Sequence, residues 1–223
     1  MRYIYFLFGT VFIVFGIYTA GIYLDLYGEL EEPGYSINSE LPKSLVDQKL
    51  ISQKPFGKEK QILFGDTHVH TTYSTDAFLW SLPILNGEGP HPIADACDFA
   101  RFCANLDFWV STDHAEALTP RKWNSIKEAV RNCNSPTDAN DPDLVTFLGY
   151  EWTQVGNTAE THYGHKNVMF LDIEEGKVPE RAIGAGGLAT NGMRAGIPGQ
   201  SRQLRPAALL DFENRHRYFD FIA

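Results

Sequence analysis

Alternating strand-like and helix-like segments are the feature of this sequence that most constrains its fold. Apolar runs at residues 61–64, 106–112 and 144–150 are short enough to be strands, and each leads into histidine or acidic residues. Between them, residues 93–103 and 120–133 carry apolar side chains at helical spacing. Strand, helix, strand, helix, strand predicts an α/β domain with a parallel sheet or barrel.

The first apolar run is followed by two histidines, His68 and His70. On a strand, residues two apart project from the same face, so these two imidazoles can share one metal ion. Imidazole suits zinc, manganese, iron or nickel better than magnesium or calcium. A single His-x-His is most often part of an ordinary surface strand. The residues at the other strand ends therefore distinguish a metal site from such a strand.

Similar side chains follow the later strands. Asp113 and His114 come after the second run, Glu151 ends the third, and His165 precedes a fourth candidate strand at residues 167–171. Each of these residues has an ordinary explanation when taken alone. In parallel β/α folds, however, functional residues gather at the carboxyl ends of the strands, so their joint placement favours a common site.

The N-terminus carries a run of 22 residues without formal charge, Tyr3 to Leu24. As a helix this run would be about 33 Å long, enough for a hydrocarbon core of about 30 Å. We therefore expect a transmembrane anchor or uncleaved signal at residues 1–26, with a buried core helix as the weaker alternative. Residues 27–60 are then a linker, and the charge distribution places the rest of the chain outside the cytoplasm, in the periplasm or at the cell surface.

Charge and cysteine content limit the partners and the compartment. The net charge of −9 and the absence of a Lys/Arg cluster disfavour nucleic-acid binding. Export would permit disulfides among the three cysteines. If the two predicted helices are neighbours, Cys103 and Cys133 lie near helix ends on the same side. That geometry favours a Cys103–Cys133 disulfide and leaves Cys97 as a buried free thiol.

These motifs together resemble a known superfamily. The segments Gly65–Asp76 (GDTHVHTTYSTD), Phe108–Glu116 (FWVSTDHAE) and Gly149–Thr153 (GYEWT), with HYGHKNV at residues 162–168, are similar to the PHP (polymerase and histidinol phosphatase) superfamily. They most resemble an exported branch catalogued as domain of unknown function 3604. The resemblance covers residues 61–223 and implies the N-terminal part of a distorted (β/α)7 barrel.

The resemblance also implies a site with two or three divalent metal ions, commonly zinc, manganese or iron. By motif position, His68 and His70 would bind one metal and Asp76 and His114 a more exposed one. Glu151 would bridge them, and His165 would join the cluster.

Two carboxylates are the predicted catalytic residues. They are Glu151 at the metals and Asp113, which together with Asp66 is expected to orient the ligating histidines. The superfamily pattern continues with an Asp-x-His pair that has no counterpart here. We therefore expect further ligands beyond residue 223, which leaves open whether this chain alone is active.

The leading hypothesis is a membrane-anchored, extracytoplasmic metal-dependent hydrolase, a phosphoesterase acting on a small-molecule ester. Two alternatives stay open. One is metal-assisted hydrolysis of an amide or sulfate ester, and the other is a non-catalytic, metal-bound binding module of the cell envelope. The sequence gives no prediction of the oligomeric state.

Overall fold

The structure is a computed structural model that describes residues 2–23, 33–53, 60–87, 91–135 and 142–185. Two compact units are present, Met1–Glu32 and Pro33–Ala223. Residues 186–223 of the predicted hydrolase domain and residues 24–32 and 54–59 of the predicted anchor and linker lie outside the described residues.

The described residues of the first unit, 2–23, form the helix α1 (Arg2–Tyr23). Across the described parts of the chain, no helix combines the length and the apolar character that crossing a membrane requires. The transmembrane anchor predicted for residues 1–26 is therefore not supported by the structure.

The second unit contains the sheet and the remaining helices. Its described elements in chain order are α2 (Lys43–Ser52), β1 (Gly65–Val69), α3 (Thr75–Ser81), a 3₁₀ turn (Pro83–Leu85), α4 (Ile93–Asp98), a π-helical turn (Phe99–Cys103), β2 (Phe108–Ser111), a 3₁₀ turn (Ala115–Ala117), α5 (Pro120–Asn134), β3 (Val145–Gln154) and β4 (Gly164–Phe170).

The four strands form one curled half-barrel sheet in the order β1-β2-β3-β4. β1, β2 and β3 are mutually parallel, as the predicted α/β alternation requires. β4 departs from that alternation, because it follows β3 through the loop 155–163 and pairs with it antiparallel. The fold is therefore mixed α/β, with the carboxyl ends of three parallel strands at one edge.

Helix α5 contributes buried apolar side chains to the core that packs against the sheet. Thr119 caps its N-terminus by accepting a hydrogen bond from the Lys122 N–H at 3.1 Å, and Pro120 occupies the first helical position. The apolar side chains at helical spacing in residues 120–133 are buried, and they include Trp123, Ile126, Val130 and Cys133. The Trp123 ring packs edge-on against Tyr150 of β3, with centroids 5.7 Å apart, which holds the helix against this interior strand.

The disulfide differs from the predicted one. Cys97 of α4 is bonded to Cys133 of α5, with Cα atoms 6.1 Å apart, and Cys103 is an exposed free thiol. The prediction of a Cys103–Cys133 pair assumed α-helical spacing throughout residues 93–103. The π-helical turn Phe99–Cys103 is wider than an α-helical turn, so that spacing does not apply to its last residue.

Part of the predicted linker belongs to the packed unit. The Lys49 side chain of α2 is buried and donates a hydrogen bond to the Leu106 carbonyl at 2.6 Å, and its ammonium lies 3.4 Å from the Asp107 carboxylate. Asp107 in turn accepts a hydrogen bond from the Phe64 N–H at 2.7 Å. These contacts hold α2 beside the start of β1 and β2.

Candidate metal centre

The two histidines of the first motif do project from the same face. His68 is on β1 and His70 follows directly after it. Their Nε2 atoms lie 3.0 Å apart. β1 begins at Gly65 and not within the predicted run 61–64. The two-residue spacing still places both imidazoles on one face of the strand.

Glu151 of β3 is the residue on which the histidines converge. Its side chain is 1% exposed, and its Oε2 lies 2.7 Å from His70 Nε2 and 3.1 Å from His68 Nε2. His114 Nδ1 lies 3.6 Å from the same oxygen, and His165 Nδ1 contacts the other carboxylate oxygen. One buried carboxylate therefore touches four imidazoles.

The histidines keep this carboxylate ionised. Burial alone would raise the pKa of the Glu151 carboxyl. The charge of His114 and a hydrogen bond with His68 outweigh that effect and hold the pKa below its ordinary value. The centre thus provides an anionic oxygen donor among nitrogen donors.

A second group of ligand atoms lies on the side of His70 away from His68. Asp76 at the start of α3 places one carboxylate oxygen 3.4 Å from His70 Nδ1 and the other 3.2 Å from His114 Nε2. The Asp76 side chain is 47% exposed, whereas that of His114 is 18% exposed. His70 therefore connects a buried group around Glu151 with a more open group around Asp76.

His165 enters from β4, the antiparallel strand. Residue 165 pairs with Thr153 across the β3–β4 ladder. The Thr153 hydroxyl lies 3.1 Å from His165 Nδ1 and 3.0 Å from His114 Nδ1. This hydroxyl was not predicted from the sequence, because a threonine at the end of a strand carries no signal that separates it from other strand threonines.

The ligand atoms form three overlapping groups, each compact enough for one metal ion. They are His68, His70 and Glu151; His70, Asp76 and His114; and His114, Glu151 and His165. Two nitrogens bound to one zinc ion at about 2.0–2.1 Å in tetrahedral geometry lie about 3.3 Å apart. The 3.0 Å between the nitrogens of the first motif is close to this value, so the donor set fits transition metals.

The hydrogen bonds of the Asp113 side chain are with the loop after β1. Its carboxylate is fully buried and accepts hydrogen bonds from the Thr71 N–H at 2.6 Å, the Thr71 hydroxyl at 2.9 Å and the Ser74 hydroxyl at 2.9 Å. These partners lie in the loop after β1 and are not histidines. Burial raises the pKa of this carboxyl, although the hydrogen bonds from Thr71 and Ser74 act in the opposite direction. Asp113 thus orders the loop that leads to Asp76.

Asp66, the other carboxylate expected to orient a histidine, contacts the backbone instead. Its Oδ1 accepts a hydrogen bond from the His68 N–H at 2.9 Å. Asp66 therefore holds the backbone of β1 at His68 and does not orient an imidazole ring through this contact.

Glu116 is a functional candidate whose role the sequence did not reveal. It is buried, and one of its oxygens accepts hydrogen bonds from the N–H groups of Thr153 and Ala185, both at 2.9 Å. Burial raises the pKa of this carboxyl, while those hydrogen bonds lower it. Glu116 holds the end of β3, where Thr153 meets two of the histidines. Its position two residues after the candidate ligand His114 is the feature of the sequence that could have identified Glu116 as a site residue.

Comparison with known proteins connects part of this site to a described family. A family model described as "Protein of unknown function (DUF3604)" matches residues 57–120. No curated protein and no solved structure matches the chain.

The matched segment contains four of the six candidate ligands: His68, His70, Asp76 and His114. It ends before β3 and β4, so Glu151 and His165 lie outside it. The match supports the predicted domain of unknown function over this segment. The link between the segment and the rest of the centre comes from the contacts around Glu151.

Proposed function

We propose that this chain is a metal-dependent hydrolase of the PHP type, with phosphoesterase activity on a small-molecule ester. The observation that carries the proposal is the single buried Glu151 carboxylate in contact with four imidazoles from β1, β2 and β4 and the segments that follow them. A surface that merely happens to be rich in histidine would leave such a carboxylate solvated and its neighbours dispersed.

The candidate ligands can be assigned to separate metal ions. His68 and His70 would hold a first metal ion with Glu151, and Asp76 and His114 would hold a second, more accessible one. His165, which is 58% exposed, would complete a third ligand group on the solvent side. This assignment allows two or three ions of zinc, manganese or iron.

Metal ions held in this way would polarise an ester oxygen and lower the pKa of bound water. The protein's own contribution is the ionised Glu151, which balances the cationic charge, and a loop fixed by Asp113, which positions Asp76. The half-exposed Asp76 side chain leaves the second group open to a substrate.

An extracytoplasmic location is part of the proposal. The buried Cys97–Cys133 disulfide supports it, because structural disulfides persist in oxidising compartments. The net charge of −9 supports a small ester rather than a nucleic acid as substrate.

Metal analysis of the purified full chain tests the proposal. We expect two or three equivalents of transition metal, and we expect His68→Ala and Glu151→Ala to remove metal. His162→Ala is the matched control, since His162 lies exposed in the loop 155–163 and should leave metal content unchanged. If the metal content is unchanged in both His68→Ala and Glu151→Ala, the proposed metal centre is refuted.

Turnover then distinguishes the remaining possibilities. The same preparations would be assayed with 4-nitrophenyl phosphate, 4-nitrophenyl sulfate and 4-nitroacetanilide, with and without a chelator. Chelator-sensitive phosphate release supports the phosphoesterase. Hydrolysis of only the sulfate ester or only the anilide would mean that the enzyme cleaves a sulfate ester or an amide bond instead. Bound metal without hydrolysis of any of the three compounds would indicate a non-catalytic binding module.

A further inference from the structure

A cavity lies directly beside the candidate metal centre. Its volume is about 920 Å³, and both His68 and His70 contribute to its wall. Ligand-binding clefts of small molecules have volumes of roughly 300–1,000 Å³, so this cavity can hold a molecule and not only water. A molecule inside it would be in contact with the imidazoles of the first motif.

The wall of the cavity is mostly apolar. Between β1 and the segment formed by α4 and the π-helical turn, the contributing side chains include Ala96, Phe99, Phe102 and Leu106. Phe99 is 63% exposed. Exposed aromatic side chains around a concave surface indicate a binding site for an apolar group.

The carboxylates in the wall disfavour a second anionic group on a ligand whose ester lies at His68 and His70. Asp66, Asp95 and Asp98 contribute carboxylates, and no lysine or arginine is among the residues that line the cavity in the described part of the chain. His91 belongs to the wall as well, but its Nδ1 lies 3.2 Å from the Asp95 carboxylate. A second phosphate or a carboxylate on the ligand would meet repulsion without a compensating cation.

From this geometry we infer that the cavity binds the organic group of the ester substrate, an alkyl or aryl group without negative charge. The inference rests on the proposed hydrolase function for the position of the ester at His68 and His70. It narrows the substrate class to phosphate monoesters of apolar alcohols or phenols and excludes esters whose organic group carries a second phosphate, such as sugar bisphosphates.

Cys103 gives a direct probe of this cavity. Its thiol is free and exposed, and it forms part of the cavity wall. A ligand in the cavity should therefore slow alkylation of Cys103 by N-ethylmaleimide, measured by mass spectrometry on the full chain. The three ligands to compare are 1-naphthol, 1-naphthylmethylphosphonate and methylphosphonate.

We expect 1-naphthol and 1-naphthylmethylphosphonate to slow alkylation and methylphosphonate, which lacks the apolar group, to have no effect. Protection by 1-naphthol does not depend on ester hydrolysis. Protection in a protein without phosphatase activity would thus retain the cavity assignment and reject the hydrolase. Turnover of 1-naphthyl phosphate without protection by 1-naphthol would overturn the cavity assignment alone.

The second test is a substitution that fills part of the cavity, with KM as the measured quantity. Ala96→Phe adds an aromatic ring to the wall without changing a candidate ligand, and Ala159→Phe in the exposed loop 155–163 is the matched control. With an active protein we expect Ala96→Phe to raise KM for 1-naphthyl phosphate on the order of tenfold, a larger factor than for methyl phosphate, and Ala159→Phe to leave both KM values unchanged. Equal changes for both esters would overturn the inference. If Ala96→Phe does not fold, the alkylation experiment decides alone.

Discussion

Loss of the Cys97–Cys133 disulfide should destabilise the folded domain strongly. The bond joins α4 to α5 across a separation of 36 residues, and both sulfur atoms are buried in the apolar core. The chain-entropy relation for a closed loop of this length gives about 4 kcal/mol at 25 °C. A domain of this size loses roughly 2–4 °C in Tm per kcal/mol, so the expected decrease in Tm is roughly 8–16 °C.

The test compares a Cys97→Ala/Cys133→Ala double variant with Cys103→Ala. Thermal unfolding of the full chain would be followed by circular dichroism, and free thiols would be counted under denaturing conditions. We expect one free thiol in the unaltered protein. Because Cys103 is exposed, its replacement should change stability by less than about 0.5 kcal/mol. A peptide cross-link between Cys103 and Cys133, or three free thiols, would refute the reasoning.

Three further predictions concern the polar and backbone contacts around the sheet. Asp113→Asn should destabilise the fold by about 2 kcal/mol in chemical denaturation, because an amide cannot accept all three hydrogen bonds now accepted by the carboxylate. Gly149→Ala should cost roughly 1–3 kcal/mol in the same assay, because the added Cβ would lie 2.6 Å from the Val168 carbonyl oxygen; wild-type stability would refute that packing. Hydrogen bonds from Arg131 and Lys127 lower the pKa of Glu175, so its contribution to stability is complete above the ordinary value of 4.5 and is lost as pH falls through the lowered pKa. The stability difference between wild type and Glu175→Gln should therefore be largest near pH 7 and vanish in strong acid, and a pH-independent difference would contradict this assignment.

Local signals predicted α5 well because the sequence encodes both its start and its face. Thr119 and Pro120 mark the N-terminus, and the buried side chains follow helical spacing to Cys133. Such information is contained in a few neighbouring residues, and it does not depend on what the helix packs against.

Pairing between strands was much less predictable. The apolar residues Ile62, Leu63 and Phe64 are 40–52% exposed, and the strand forms at the more polar residues after them. Gly65 allows this pairing, since a Cβ there would lie 2.4 Å from the Phe108 ring. The close contact with a residue 43 positions away depends on tertiary structure, which apolar periodicity does not report. The antiparallel direction of β4 escaped prediction for the same reason.

For the candidate site, the sequence predicted which side chains lie together but not the residues that hold them in place. Histidine and carboxylate residues at strand ends are visible in the sequence, and the structure brings all six candidates together. The roles of Thr153 and Glu116 depend on contacts across the β3 end, which no local motif contains.

A single hydroxyl couples the loop after β1 to the end of β2. Ser74 is fully buried, donates to Asp113 at 2.9 Å and accepts a hydrogen bond from the His114 N–H at 2.9 Å. The loop that carries His70 toward Asp76 is therefore fixed to the backbone of His114. Because His70, Asp76 and His114 form one group of candidate ligands, these contacts within the protein set their mutual geometry. If this group holds a metal ion as proposed, such preorganisation would lower the entropic cost of binding that ion. The buried Asp113 carboxylate would then contribute to metal binding without touching a candidate ligand side chain.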